Sequence, residues 1–333
     1  MIINKKNKLD KYTVKKYTQN DYTIWNDFIA QAKNATFLFH RDFMEYHKDR
    51  FEDYSLMIFD GEKLAAILPA NKSGETLYSH QGLTYGGLVL SQKSKLYDII
   101  FIFKSVLQYL TINKIIKLFI KQIPSIYCDY LSDEMDYLIY ICKGKIIMKH
   151  NISAISLENN LTISKSRIEC IRRGKKLNLI IKEENNLESF WNTLLIPNLR
   201  DKYNSKPVHT LKEIESLHKK FPTNIRHFNV YDGDKLVCGT TLFITKNVVK
   251  PQYISGNEDS NMLGSIDFLY NFLIREIAKD KKFFDFGPSH DRSGLQIVKG
   301  INFWKESFGA NSLIQNFYEV GTSNYYLLDT ILK

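Results

Sequence analysis

The segment Ile58-Phe59-Asp60-Gly61-Glu62-Lys63-Leu64 returns later in the chain as Val230-Tyr231-Asp232-Gly233-Asp234-Lys235-Leu236. Each copy reads as a strand, an Asp-Gly turn taking positive φ, and a returning strand. An Asp-Gly hairpin alone is common, and the run of elements after each copy is the stronger signal. After the first hairpin the pattern predicts a third strand near 76–80, a loop, a helix over 94–110 and a strand at 115–120. After the second it predicts a third strand at 251–256, a loop, a helix over 264–278 and a strand at 283–286. Tyr97-Asp98-Ile99-Ile100 and Ile266-Asp267-Phe268-Leu269 even set an acid at the same point of the helix. Order, type and spacing repeat, so the chain reads as a tandem duplication of one mixed α/β unit.

Helices precede each hairpin. The first group falls at 21–33 and 42–49, where Trp25, Phe28, Ile29 and Ala32 recur at helical spacing behind an Asp21 cap. The second falls at 164–177, 187–203 and 211–219. Glu158-Asn159-Asn160 breaks the pattern between the groups, which divides the chain into domains 1–158 and 159–333. A length of 333 residues suffices for two ordinary domains. The formal net charge of +10 favours anionic partners. The single basic clusters (114–121, 172–176, 279–282) also read as plain solvated surface. Cys128, Cys142, Cys170 and Cys238 show neither CxxC nor metal-type spacing and read as reduced, mostly buried residues. No metal site is expected. The first residues are polar with no apolar run behind them, and 96–120 is broken by Lys104, Gln108, Asn113, Lys114 and Lys117. The expectation is a cytoplasmic protein without a membrane span.

Helices, then an antiparallel hairpin, then strand–helix–strand: this order resembles the GNAT acetyltransferase superfamily, and two such units resemble the double-GNAT, Fem-like bacterial transferases. The runs carrying the resemblance are His80–Leu88 (HQGLTYGGL), Tyr253–Asn257 (YISGN), Phe284–Ser289 (FDFGPS) and Lys299–Ala310 (KGINFWKESFGA). They look like blocks of transferases encoded with bacterial surface-polysaccharide genes. The resemblance implies two tandem GNAT-like domains of mixed, mostly antiparallel sheet flanked by helices. It also implies an N-acyltransferase moving an acyl group from a CoA thioester to an amine. The acceptor so implied is a dTDP- or UDP-linked amino sugar of lipopolysaccharide or O-antigen synthesis.

That chemistry needs a diphosphate cradle, an oxyanion donor, a base for the ammonium and a proton for the thiolate. Unpaired N–H groups at a helix start hold an anion. The place for them is 259–265, with Asn261, Gly264 and Ser265, although the family's Gly-rich loop is reduced to Gly264. Tyr253, Ile254, Ser255 and Gly256 would pair with the pantetheine and supply an oxyanion N–H, and Ser289 would complete the cofactor set. Candidate bases are His80 in the first copy and Asp285 and His290 in the second, the site being expected between the halves. Gln81, Thr84, Tyr85, Asn257 and Trp304 would contact the acceptor. Each of these also has a plain structural reading as a cap, a rim residue or core packing. The helix over 295–308 offers Phe303 and Trp304 but no Tyr to protonate the thiolate, so that role is unfilled, done by water, or carried by a Tyr elsewhere such as Tyr253.

Two rivals remain. One is an aminoacyl-tRNA-dependent Fem-type peptidyltransferase acting on a cell-wall precursor. Pro197, Pro207 and Pro222 argue against the long helical arm common there, and nucleic acid is unexpected outside this rival. The other is a non-catalytic, nucleic-acid- or lipid-associated protein built on a decayed transferase fold.

Overall fold

The computed structural model describes residues 11–291 and 294–332. The chain forms two compact units, one of residues 1–150 with 314–333, the other of residues 151–313. This differs from a division at 158/159. The last twenty residues belong with the first unit because their strand pairs there.

In chain order the first unit begins with β1 (Tyr12–Lys16), α1 (Tyr22–Ile29), α2 (Arg41–Met44) and β2 (Glu52–Asp53). The hairpin β3 (Leu56–Asp60) and β4 (Lys63–Leu68) comes next, then β5 (Asn71–Ser73), β6 (Thr76–Tyr78) and β7 (Val89–Leu90). After them come α3 (Leu96–Ile112), β8 (Lys117–Lys121), α4 (Glu134–Ile141) and β9 (Lys145–Ser156), whose second half belongs to the other unit. The second unit continues with α5 (Lys165–Lys176), β10 (Ile180–Glu183), α6 (Glu188–Phe190), α7 (Ile196–Tyr203) and α8 (Leu211–Lys220). Then come β11 (Ile225–Asp232), β12 (Lys235–Ile244), β13 (Val248–Gly256), α9 (Ser260–Leu263) and α10 (Ser265–Phe272). The chain ends with β14 (Phe283–Pro288), α11 (Lys299–Glu306) and β15 (Asn311–Gly321).

The duplicated hairpins agree residue by residue. Gly61 and Gly233 take φ +61° and +57°, the left-handed conformation the turn requires. Both carry the same bulge: Ile58 pairs with Ala66 but Phe59 with Leu64, and Val230 pairs with Cys238 but Tyr231 with Leu236. Ala65 and Val237 are thus the extra residues, at equivalent places. Both units also pair the third strand in parallel with the strand after the helix, β6 with β8 and β13 with β14.

The units differ in how the third strand meets the hairpin. In the second unit β13 pairs along β12, giving one sheet in the order β10-β11-β12-β13-β14-β9. In the first unit β4 pairs with β7 instead, and β6 pairs with β5 and β8. The strand expected over 76–80 stops at Tyr78 because His80 takes φ +74°. That unit therefore has two sheets, β1-β3-β4-β7 and β2-β5-β6-β8-β15.

Each unit has its own core. In the first, α3 lays Ile99, Ile102, Phe103, Val106 and Leu110 against Leu56, Ile58, Leu118 and Val320. In the second, Leu269, Tyr270, Leu273 and Ile274 pack against Val230, Leu242, Phe284 and Phe286. The apolar stretch over 96–120 resolves into α3 and β8, and no helix among the described residues is long and apolar enough to cross a membrane. The helix expected over 264–278 is present as α10 and the π-turn that continues it. Gly264 separates α9 from α10 at φ +69°, and the π-turn occupies Leu273–Ile277. A second π-turn, Trp191–Leu195, joins α6 to α7 without a break, just before Pro197, whose missing N–H disturbs the regular helical ladder.

Candidate functional site

In the second unit β13 and β14 pair only at Val248–Phe283 and Val249–Phe284, then diverge. The local sequence explains the opening. Pro251 has no N–H to donate, and a bulge beside it leaves Gln252 unpaired, since Tyr253 faces Thr241 and Pro251 faces Leu242. On β14 lies a second bulge, at Phe286, with Asp285 pairing with Ala154 and Gly287 with Ser153. Beyond the two strand ends lie Asn257 and Ser289. Asn257 Nδ2 and Ser289 Oγ are buried and have no hydrogen-bond partner among the described residues. Buried polar atoms are nearly always satisfied, so these two, at the ends of two diverging strands, are open to water or a ligand as partner.

Charged groups gather at the β14 bulge. Lys250 Nζ donates to Asp285 Oδ2 at 2.9 Å, and the other carboxylate oxygen accepts from Gly287 N at 2.6 Å. Gly287 is at φ +74°, and a Cβ there would lie 3.1 Å from Lys250 Nζ. From α11, Lys305 Nζ donates to the carbonyls of Gly287 (2.9 Å) and Pro288 (2.7 Å). Burial, assisted by Lys250, brings the Lys305 pKa down to about 8. An ammonium has three N–H donors and these bonds use two. Lys305 is absent from the candidates read in the sequence. Its burial on a helix otherwise turned outward is a product of the tertiary fold and leaves no mark in the sequence.

The other candidates of this unit stand in plainer surroundings. His290 sits just past β14, its Nδ1 2.8 Å from the Asp291 carbonyl oxygen. Ser255 donates to the Leu194 carbonyl and accepts from Asn198, which also donates to the Gly256 carbonyl at 2.7 Å. Ile254 is part-exposed on the same strand. The hydroxyl of Tyr253 is 2.5 Å from His209 Nδ1. Trp304 donates to Asp267 Oδ1 at 2.7 Å and packs edge-on against Tyr270 and Phe286. A polar layer not foreseen from sequence runs under the sheet. His227 lies between Thr241 Oγ1 (3.0 Å) and Asn229 Oδ1 (3.1 Å), and Asn229 and Tyr231 both donate to Glu184. Burial holds His227 down to about 4, hence neutral.

At the expected diphosphate cradle several groups are already paired within the protein. A Cβ on Gly264 would fall 2.4 Å from the Cys170 carbonyl oxygen, so the backbone of α5 rests on the loop. Ser260 N is taken by the Asn257 carbonyl, Leu263 N by Asp259, and Gly264 N by Asn261. The Asn257 side chain accepts from Asp259 N, and Ser265 Oγ donates to the Ser260 carbonyl. Asp267, in the first turn of α10, binds Arg167 at 2.9 Å, and Asp259 binds Lys235 at 2.6 Å. Arg173 donates to the Met262 carbonyl at 2.9 Å, so three cations stand around this loop.

In the first unit His80 is buried and stacked on His47, ring centroids 4.6 Å apart at 14°. Its Nδ1 accepts from Gly82 N at 3.2 Å. Burial, then the neighbouring His47, takes its pKa down to about 3, and burial takes His47 to about 4. Both rings are neutral near pH 7 and weak as bases. Gln81 exchanges two 2.8 Å bonds with Asn71, and the Thr84 carbonyl accepts from Gln315. Tyr85 is buried and donates to Thr36 Oγ1 at 3.0 Å. Lys121 is half-buried, its pKa lowered by burial to about 8, and donates to the Leu83 carbonyl at 2.7 Å. Among the described residues no group of three or more His, Cys, Asp or Glu is placed to hold a metal ion.

Two hairpin-led units with a diverging parallel pair make up a tandem GNAT-like fold, the class read from the sequence. No family model matches the chain, and no curated protein is recognisably similar to it in sequence. Solved structures do share its fold. FemX superposes with a TM-score of 0.66 at 10% identity, over 95% of this chain and 99% of that one. A conserved protein of unknown function from Bacteroides thetaiotaomicron gives 0.59 at 10% identity, over 92% and 99%. The L-PGS of Bacillus licheniformis gives 0.54 at 10% identity, over 94% and 96%.

Proposed function

We propose that the chain is a transferase passing an acyl group from an activated ester to an amine, in the opening between β13 and β14. The observation that carries this is the pair of buried, unpartnered atoms, Asn257 Nδ2 and Ser289 Oγ, beyond the two strand ends. In the reaction the amine nitrogen bonds to the acyl carbon and the carbonyl oxygen gathers negative charge. The carbon–oxygen bond to the donor then breaks, and the proton lost by nitrogen passes to the leaving oxygen. The third N–H of Lys305 is the donor we assign to the developing oxyanion, where a preorganised charge acts most strongly. The Lys250–Asp285 pair fixes the bulge that presents it, and His290 is the base we assign to the amine.

The crowding of α5 on Gly264 supports an aminoacyl ester carried on tRNA as donor, with an amine of a cell-surface precursor as acceptor. The α5 backbone packed against Gly264 narrows the loop where a diphosphate would lie. A second reading keeps the CoA thioester and a nucleotide-linked amino sugar. It is favoured by the strand divergence itself, which in acyl-CoA-using members of the resembled superfamily receives pantetheine. A thermal-shift panel separates them. We expect an aminoacyl-adenosine analogue and tRNA to raise the melting temperature, and CoA and acetyl-CoA to leave it unchanged. Stabilisation by CoA alone would restore the thioester reading.

A further inference from the structure

Helix α11 and the loop before it turn a run of apolar side chains to solvent. Leu295 is 87% and Phe303 65% exposed, with Ile297, Val298 and Ile301 exposed between them. The fold does not require this, because Trp304 and Phe308 of the same segment already supply its packing against Tyr270 and Phe286. From Gly294 to Lys305 the sequence holds no acid, and Lys299 is exposed within it.

A cationic helix adjoins this ridge. Ser164 N, the cap of α5, donates to the Ser307 carbonyl at 2.9 Å, and Arg167 meets Trp304 on the Asp267 carboxylate. Along α5, Lys165, Arg172, Arg173, Lys175 and Lys176 are exposed against one acid, Glu169. Exposed aliphatic and aromatic groups beside a basic helix are what a charged lipid interface selects. The apolar groups enter the acyl boundary while the cations stay among the headgroups. We propose that this surface of the second unit docks onto an anionic membrane, with Leu295 and Phe303 inserted. RNA would engage the cations but gains little from Leu295, Ile297 and Val298, which offer neither a stacking plane nor a donor. A second copy covering the ridge would bring two cationic α5 helices together, which like charge opposes.

The test is co-flotation with vesicles of phosphatidylcholine alone and with added phosphatidylglycerol, on the full chain. We expect flotation only with the anionic vesicles, reversed by salt. Leu295→Asp combined with Phe303→Asp should cut the bound fraction at least tenfold with an unchanged melting temperature. Arg172→Glu with Arg173→Glu should weaken binding similarly. Absence of flotation, or flotation indifferent to Leu295→Asp/Phe303→Asp, overturns the proposal. So does a wild-type dimer, or an RNA complex, that the same pair of substitutions dissolves. The readout is independent of transfer chemistry, so failure of the donor assignment leaves it standing.

Discussion

Lys305 is held among carbonyls rather than carboxylates, an arrangement that keeps it charged yet costly to keep. Lys305→Met should lower turnover about a hundredfold, the usual cost of losing one oxyanion donor. It should also cost about 1–3 kcal/mol of stability by stranding the Gly287 and Pro288 carbonyls. Rate assays and urea midpoints on the one variant measure both, and undiminished turnover removes Lys305 from the site. The buried histidines make a second prediction. His47, His80 and His227 are held neutral, with folded pKa values near 4, 3 and 4 against 6.5 unfolded. Between those values the unfolded chain binds more protons, so stability is full above pH 6.5 and falls as pH drops toward 4. One such histidine accounts for about 3 kcal/mol across that window. Urea midpoints that stay flat from pH 7 to pH 5 would refute it. At this scale the sequence was least legible. A histidine in a Gly-rich run looks the same whether it faces a cleft or, like His80, lies stacked under His47. Lys305 hid among the many lysines of a basic chain.

At the scale of elements the reading fared better, because hairpins, helices and their order are set by local patterning. The Asp-Gly turns, α3, α5 and β14 lie where periodicity puts them. The failures are places where tertiary packing overrides the pattern. The strand over 76–80 ends at Tyr78, where His80 turns left-handed to stack on His47, and Gly264 turns left-handed at the start of the 264–278 helix so that α5 can approach. Gly264→Ala should therefore cost at least about 2 kcal/mol, combining a left-handed backbone with a collision against the Cys170 carbonyl. Gly300→Ala is the contrasting case, since a Cβ there meets nothing within 4 Å of helix α11. It should gain up to about 1 kcal/mol. Equal urea midpoints for the two variants would show that α5 does not rest on that loop.

For the whole molecule, the duplication was visible in sequence but the ownership of the last twenty residues was not, since strand pairing across two hundred residues leaves no local mark. β15 pairs with β8 from Phe317 to Gly321, Tyr318 bonds Asp136, and Lys104 binds Asp329. A fragment of residues 151–313 should accordingly unfold in one cooperative step. A fragment of residues 1–158 should show native-like far-ultraviolet dichroism, bind a hydrophobic dye and lack a sharp melt. A sharply melting 1–158 fragment would overturn this. The same pairing sets an order on synthesis. As the nascent chain leaves the ribosome, the strands and helices of the second unit are complete by Leu313, while the first waits for β15. The later-made unit can thus finish folding before the earlier one, which reverses the usual amino-to-carboxyl sequence of events. Until its closing strand emerges, the first unit stands with the β8 edge unpaired, a segment for chaperones to guard.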